Sequence, residues 1–163
     1  MKYKIMVFMI LFGTILPGTT GTAFAGDKKL PARQGQSSRS LIVYKSPNCG
    51  CCTNHVRYLR AKKFDVMVVE ITQEDLEKKK QELGIPSDLY SCHTTVTESG
   101  KYFIEGHMPY EAIEKLLSEQ PDIRGISLPG MPSASPGMPG GKKGPFVIRR
   151  VPHNGLVSVF MSL

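Results

Sequence analysis

Residues 41–52 read Leu41-Ile42-Val43-Tyr44-Lys45-Ser46-Pro47-Asn48-Cys49-Gly50-Cys51-Cys52. The first four are aliphatic, β-branched or aromatic and suit a short buried strand. Ser46-Pro47-Asn48 ends it, because proline brings no backbone N–H and restricts the residue before it. The composition then predicts a helix that starts at Cys49 or Cys51 and runs to residue 62, with Val56 and Leu59 facing inward and His55 facing solvent. Three thiols therefore stand within four residues at a strand-to-helix junction. Cys49 and Cys52 have the C-x-x-C spacing, in which two sulfurs at a helix start close a disulfide or hold one ion. The unpaired N–H groups and dipole of a helix start favour thiolate, which is both the nucleophilic and the metal-ligating form. The plainer alternative is a structural disulfide of an oxidising compartment, although so short a loop gains little entropic stabilisation.

Outward from this stretch, residues 64–71 form a second apolar run with Val66, Met67, Val68 and Val69. Thr72 with Asp75 resembles a capping box, and the helix it opens runs to residue 83, where Gly84 and Pro86 stop it. Lys78-Lys79-Lys80 reads as the solvated face of that helix. After a loop at 87–93, Thr94-Thr95-Val96-Thr97 and Tyr102-Phe103-Ile104-Glu105 flank the turn Glu98-Ser99-Gly100-Lys101 as a hairpin. Pro109 opens a third helix carrying Ile113, Leu116 and Leu117. Residues 128–143 are a Pro, Gly and Ser-rich loop with the near-repeat Pro129-Gly130-Met131-Pro132 and Pro136-Gly137-Met138-Pro139. Phe146-Val147-Ile148 and Leu156-Val157-Ser158-Val159-Phe160 are a last pair of strands around a turn that holds His153. The order βαβα-ββ-α defines a thioredoxin-like α/β fold with a mixed sheet and a C-terminal loop-plus-strand extension. Its first two strands are parallel through a helical crossover, and the hairpin adds antiparallel strands.

The N-terminal segment is read as separate from the fold. Lys2 and Lys4 precede an apolar run at 5–16, and Ala23-Phe24-Ala25 stands before Gly26. This is the pattern of a signal peptide at 1–25 cleaved after Ala25, with an apolar run too short to span a bilayer. A polar, period-free leader follows at 26–40, and one domain at 41–163. Loss of Lys2 and Lys4 takes the formal charge from +7 to +5. The remaining basic residues are spread out, without a long stripe or interleaved aromatics, so a nucleic-acid partner is not expected.

The topology bears on the fourth cysteine. The hairpin's first strand runs antiparallel to the strand that ends at Cys49, which brings Cys92-His93 to the same sheet end. The return strand brings Gly106-His107-Met108 there as well. Thiolate, imidazole and thioether together suit Cu(I), and the Cys and His residues alone suit Zn(II). Met131 and Met138 can join from the Pro-Gly-Met loop, or simply cover apolar surface.

Four separated motifs carry a family resemblance. They are Tyr44-Lys45-Ser46-Pro47-Asn48-Cys49-Gly50-Cys51-Cys52, Ser91-Cys92-His93-Thr94, Glu105-Gly106-His107-Met108-Pro109 and Gly125-Ile126-Ser127-Leu128-Pro129-Gly130-Met131-Pro132. In this order they resemble the domain-of-unknown-function family numbered 411, exported bacterial proteins often labelled metal-binding or copper-associated. The resemblance implies a thioredoxin-like domain in the periplasm with a part in copper resistance or delivery, and partners among periplasmic copper-handling proteins. It supplies no settled reaction. Thioredoxin-like enzymes place Gly-Pro between the paired cysteines and a cis-proline before the facing strand. Here Gly50-Cys51 and Cys92-His93 occupy those places, which turns the reading towards ion binding.

The leading expectation is a Cu(I) site of Cys49, Cys52 and Cys92, with Cys51, His93, His107, Met108, Met131 and Met138 as further candidate ligands. The alternative is a thiol–disulfide oxidoreductase in which Cys49 attacks and Cys52 resolves, with Cys92 as a relay.

Overall fold

The computed structural model describes residues 39–163. The expected signal peptide and nearly all of the leader lie outside them. β1 (Ser40–Lys45) and β2 (Asp65–Glu70) are parallel and joined by α1 (Gly50–Ala61). α2 (Gln73–Glu82) and a 3-10 turn at Ser87–Leu89 lead to β3 (His93–Thr97), β4 (Phe103–Glu105) and α3 (Tyr110–Glu119). β5 (Gly125–Ser127), β6 (Val147–Val151) and β7 (Ser158–Ser162) complete a seven-stranded sheet of order β2-β1-β3-β4-β5-β6-β7. β3 is antiparallel to both β1 and β4, β5 is parallel to β4, and β6 and β7 are antiparallel. This is a thioredoxin-like α/β domain extended at one edge. β5 has no counterpart in the sequence reading: three residues buried throughout display no alternation to detect.

Alternation along the strands divides the core in two. Leu41 and Val43 of β1 and Ile104 of β4 meet Val56 and Leu59 of α1 and Ala112, Ile113 and Leu116 of α3 in the larger cluster. Phe103, one residue from Ile104, points the other way and packs with Ile85, Leu89 and Val151. Thr72 caps α2 as predicted, its hydroxyl accepting from the Asp75 N–H at 3.1 Å.

Lys80 corrects the sequence reading of a solvated lysine run. It follows Leu76 by one helical turn, and both are buried, Lys80 at 1% exposure. Its ammonium donates to the Glu105 carboxylate, to Thr94 Oγ1 at 3.0 Å and to the Ser91 carbonyl at 3.1 Å. Glu105, fully buried, also accepts from the Ser91 N–H at 2.6 Å and from the Thr94 hydroxyl at 2.6 Å. Every strong partner of this pair lies in residues 91–94, so the ion pair clamps the segment that presents Cys92 and His93.

Truncating one member of a buried pair leaves the other charge uncompensated, at about 3–5 kcal/mol. Lys80→Met is expected to lower unfolding free energy by that amount in urea denaturation at neutral pH. The double variant Lys80→Met/Glu105→Gln, which removes the stranded charge and retains an acceptor for Ser91, is expected to recover at least half of the loss. A Lys80→Met protein as stable as the wild type would contradict the clamp.

Candidate metal centre

The start of α1 is fixed before any ligand chemistry is considered. Lys45, 3% exposed, donates to the Ser46 carbonyl at 3.1 Å and to Glu70 Oε1 at 2.7 Å. The Ser46 carbonyl in turn accepts from the Cys49 N–H at 3.2 Å. Cys49 is the N-cap, and its sulfur accepts from the Cys52 N–H at 3.3 Å. Cys49 and Cys52 are joined in a disulfide, while Cys51 and Cys92 are free, half-buried thiols. Cys51 Sγ lies 3.5 Å from Cys49 Sγ, and Cys92 Sγ lies 3.5 Å from Cys52 Sγ. All four sulfurs fall within 4.8 Å of one another.

The register of β3 brings in the imidazoles. Lys45 is opposite His93, and Thr94 is opposite Glu105, so Cys92 and the loop after β4 reach the same sheet end as Cys49. Cys52, Cys92, His93 and His107 form a second cluster whose ligand atoms lie within 4.8 Å of one another. Cys92 Sγ is 2.9 Å from His107 Nε2 and 3.4 Å from His93 Nδ1.

The ring nitrogens are assigned by their partners, since a carbonyl only accepts. His107 Nδ1 faces the Pro136 carbonyl at 2.7 Å and therefore carries its proton, leaving a lone pair on Nε2. His55 Nε2 donates to the Met108 carbonyl at 3.0 Å, so its Nδ1 is an acceptor. That Nδ1 lies 2.8 Å from His93 Nε2, which must supply the proton, leaving a lone pair on His93 Nδ1. Both bare nitrogens are thus turned on Cys92. Its single S–H satisfies one of them, and the other is left facing sulfur. A buried group of donors with one proton too few is the electronic complement of a cation, and the residues fit a soft metal ion held by sulfur and imidazole.

Burial keeps this group uncharged. His55 is lowered to about 4, chiefly by desolvation, and His93, also fully buried, lies well below the ordinary value for the same reason. Burial lowers His107 too. It pushes the Cys92 thiol up to about 12, with the nearby Cys51 adding to the shift. Thiol high and imidazole low means that no proton passes from Cys92 to His107 spontaneously. A metal cation is the agent able to displace it.

The remaining candidates are placed differently. The Met108 side chain packs in the larger apolar cluster, and the residue serves the site through its carbonyl. Met131 is 53% exposed. Met138 is half-buried on the Pro-Gly-Met loop, and that loop does fold back over α1. A Cβ on Gly137 (φ +87°) would lie 2.6 Å from the His55 backbone nitrogen and 2.8 Å from the Cys51 carbonyl oxygen, so only glycine permits this approach. His153 stands apart, 3.5 Å from Asp122. Among the histidines, His55 is the one the sequence reading misplaced, for it is fully buried rather than facing solvent. Its spacing from Cys52 and Leu59 sets it on the inward stripe of α1.

A thioredoxin-like domain with cysteines and histidines gathered at one sheet end is thus a protein able to hold a metal ion. The family model described as "Protein of unknown function, DUF411" matches residues 89–138. Two solved structures are similar over most of the chain. One, described as "Copper resistance protein copG- Form 2", is 34% identical with a TM-score of 0.68, covering 76% of this chain and 97% of that one. The other, "Copper resistance protein copG- Form 1", is 34% identical with a TM-score of 0.65, covering 76% and 96%. The chain belongs to this family of copper-associated proteins, domain-of-unknown-function family 411. No curated protein matches it.

Imidazoles held neutral by burial tie stability to pH. Between about 4 and the ordinary value of 6.5, the unfolded chain binds a proton at His55 that the folded chain does not. Stability therefore falls as pH falls through this window. A His55→Asn variant lacks that loss, so its stability deficit against the wild type is expected to narrow by about 3 kcal/mol between pH 7 and pH 4. Chemical denaturation of the metal-free protein across this range reads it, and a constant deficit would contradict a neutral His55.

Proposed function

We propose that this protein binds Cu(I) in the periplasm, for copper resistance or for delivery to copper-handling partners. The observation that carries the reading is the pair of bare nitrogens, His93 Nδ1 and His107 Nε2, aimed at the Cys92 sulfur beside the other three cysteines. Thiolate and imidazole in a buried pocket favour a soft monovalent ion that tolerates low coordination number. Cys92, His93 and His107 are a standing set of donors. Cys49 and Cys52 join once their disulfide is reduced, with Cys51 alongside. Met138, next to Gly137 in the Pro-Gly-Met loop, is a further donor to test, and exposed Met131 is a candidate for receiving or handing on the ion. Zn(II) is the alternative cargo for the Cys and His residues. The description of the solved relatives as copper resistance proteins supports copper, and the signal-like segment at 1–25 supports export. Among the described residues no helix is long and apolar enough to cross a membrane.

The closed Cys49–Cys52 disulfide favours a second reading, thiol–disulfide exchange. Cys92 would attack Cys52 as thiolate and release Cys49. The burial that raises the Cys92 thiol to about 12 opposes this, because the attacking form is then scarce at neutral pH.

Reduced protein handled without air and titrated with Cu(I) against a competing chelator is expected to bind tightly and to prefer Cu(I) to Zn(II). Cys92→Ser and the double variant Cys49→Ser/Cys52→Ser are expected to weaken binding by at least 100-fold, about 2.7 kcal/mol. Because binding displaces thiol protons, affinity is expected to rise at least tenfold per pH unit between pH 6 and 8. Unchanged affinity in both variants would overturn the assignment. Turnover of a disulfide substrate without Cu(I) binding would put the exchange reading in its place.

A further inference from the structure

We propose that His55 is the positioning residue that selects the nitrogen with which His93 meets a metal ion. The claim rests on the metal-centre reading above and assigns His55 a role beside the site rather than in it. Both of its nitrogens are engaged, Nε2 with the Met108 carbonyl at 3.0 Å and Nδ1 with His93 Nε2 at 2.8 Å. Neither is left to reach an ion, so His55 is not a ligand.

What His55 supplies is the acceptor that His93 Nε2 finds among the described residues. His93 is fully buried, and its ring meets His55 at 4.8 Å and His107 at 4.9 Å between centroids. A buried N–H without a partner costs about 1–3 kcal/mol, so the His93 proton resides where an acceptor waits. The acceptor is His55 Nδ1, and it is bare only because the Met108 carbonyl holds the His55 proton on the opposite nitrogen. The order Met108 carbonyl, His55, His93, Cys92 passes one instruction along a line: proton on Nε2, lone pair on Nδ1. His107 receives the matching instruction directly from the Pro136 carbonyl. The two imidazoles are thus oriented by different chain segments, one by the Met108 carbonyl through His55 of α1 and one by the Pro-Gly-Met loop. Without His55 the His93 ring gains by reversing its tautomer or turning over, either of which points N–H at the sulfurs and withdraws a donor.

Three variants separate positioning from space filling. Asparagine places its side-chain oxygen near the position of Nδ1 and can still accept from His93. Phenylalanine fills the volume without any acceptor. Glutamine reaches towards Met108 and leaves His93 unserved, and it replaces phenylalanine if His55→Phe does not fold. Long-range ¹H–¹⁵N spectra of the reduced, metal-free protein report which nitrogen of His93 is protonated, and anaerobic titration reports Cu(I) affinity. Wild type and His55→Asn are expected to show His93 protonated at Nε2, with less than a tenfold difference in affinity. His55→Phe is expected to lose that protonation pattern and bind Cu(I) 10–100-fold more weakly. An unchanged His93 tautomer, or unchanged affinity, in the phenylalanine variant overturns the proposal. If the wild type itself fails to bind Cu(I), the copper assignment falls, and the metal-free spectra alone decide whether His55 sets the tautomer.

Discussion

β3 is held between two neighbours, with Lys45 of β1 opposite His93 and Glu105 of β4 opposite Thr94. Side chains alternate along a strand, so a slip of one residue would exchange His93 with Cys92 or Thr94 and turn the imidazole away from α1. The register is therefore the constraint on which the site depends. The buried Lys80–Glu105 pair secures it from beneath, because the residues it binds, Ser91 and Thr94, flank Cys92 and His93. A charge pair in the interior is a weak source of net stability. Its value here is positional: the ammonium and carboxylate can be satisfied together in only one placement of this segment.

Around that fixed segment the protein assembles donors while withholding charge. A thiolate cluster in water would be reactive and would exchange with any disulfide or metal it met. Burial raises the Cys92 thiol and lowers the three imidazoles, so the group waits in a neutral form. The entry of a cation reverses the preference, since its charge stabilises the thiolate that desolvation disfavours. The same low-polarity surroundings that suppress the free thiolate strengthen its attraction to the ion.

Much of this was legible in the sequence because the fold obeys local rules. The strand–Pro–Cys junction, the Thr72 cap and the hairpin each follow from residue chemistry at short range, and together they fix which motifs share a sheet end. The two misplaced residues have a common explanation. His55 and Lys80 are polar residues on the inward stripes of α1 and α2, where Val56 and Leu59, or Leu76, mark the direction. Polarity suggested solvent, and spacing suggested the core. Spacing prevailed because each side chain finds partners from distant chain segments, Met108 and His93 for one, Glu105 and Thr94 for the other. Such partners are visible only once the chain is folded. The pairing of His107 with the Pro136 carbonyl was hidden for the same reason, although the composition of the Pro-Gly-Met loop marked it as a segment able to return to the site.

That loop carries two duties at once. Gly137 lies against the first turns of α1, over Cys51 and His55, while the preceding carbonyl holds His107 in its donor form. Cover and ligand are consequently mechanically joined. A displacement of the loop would uncover the backbone of Cys51 and His55 and at the same time deprive His107 of its anchor. Uncovering the helix start and loosening the His107 ring are, by this construction, one event rather than two.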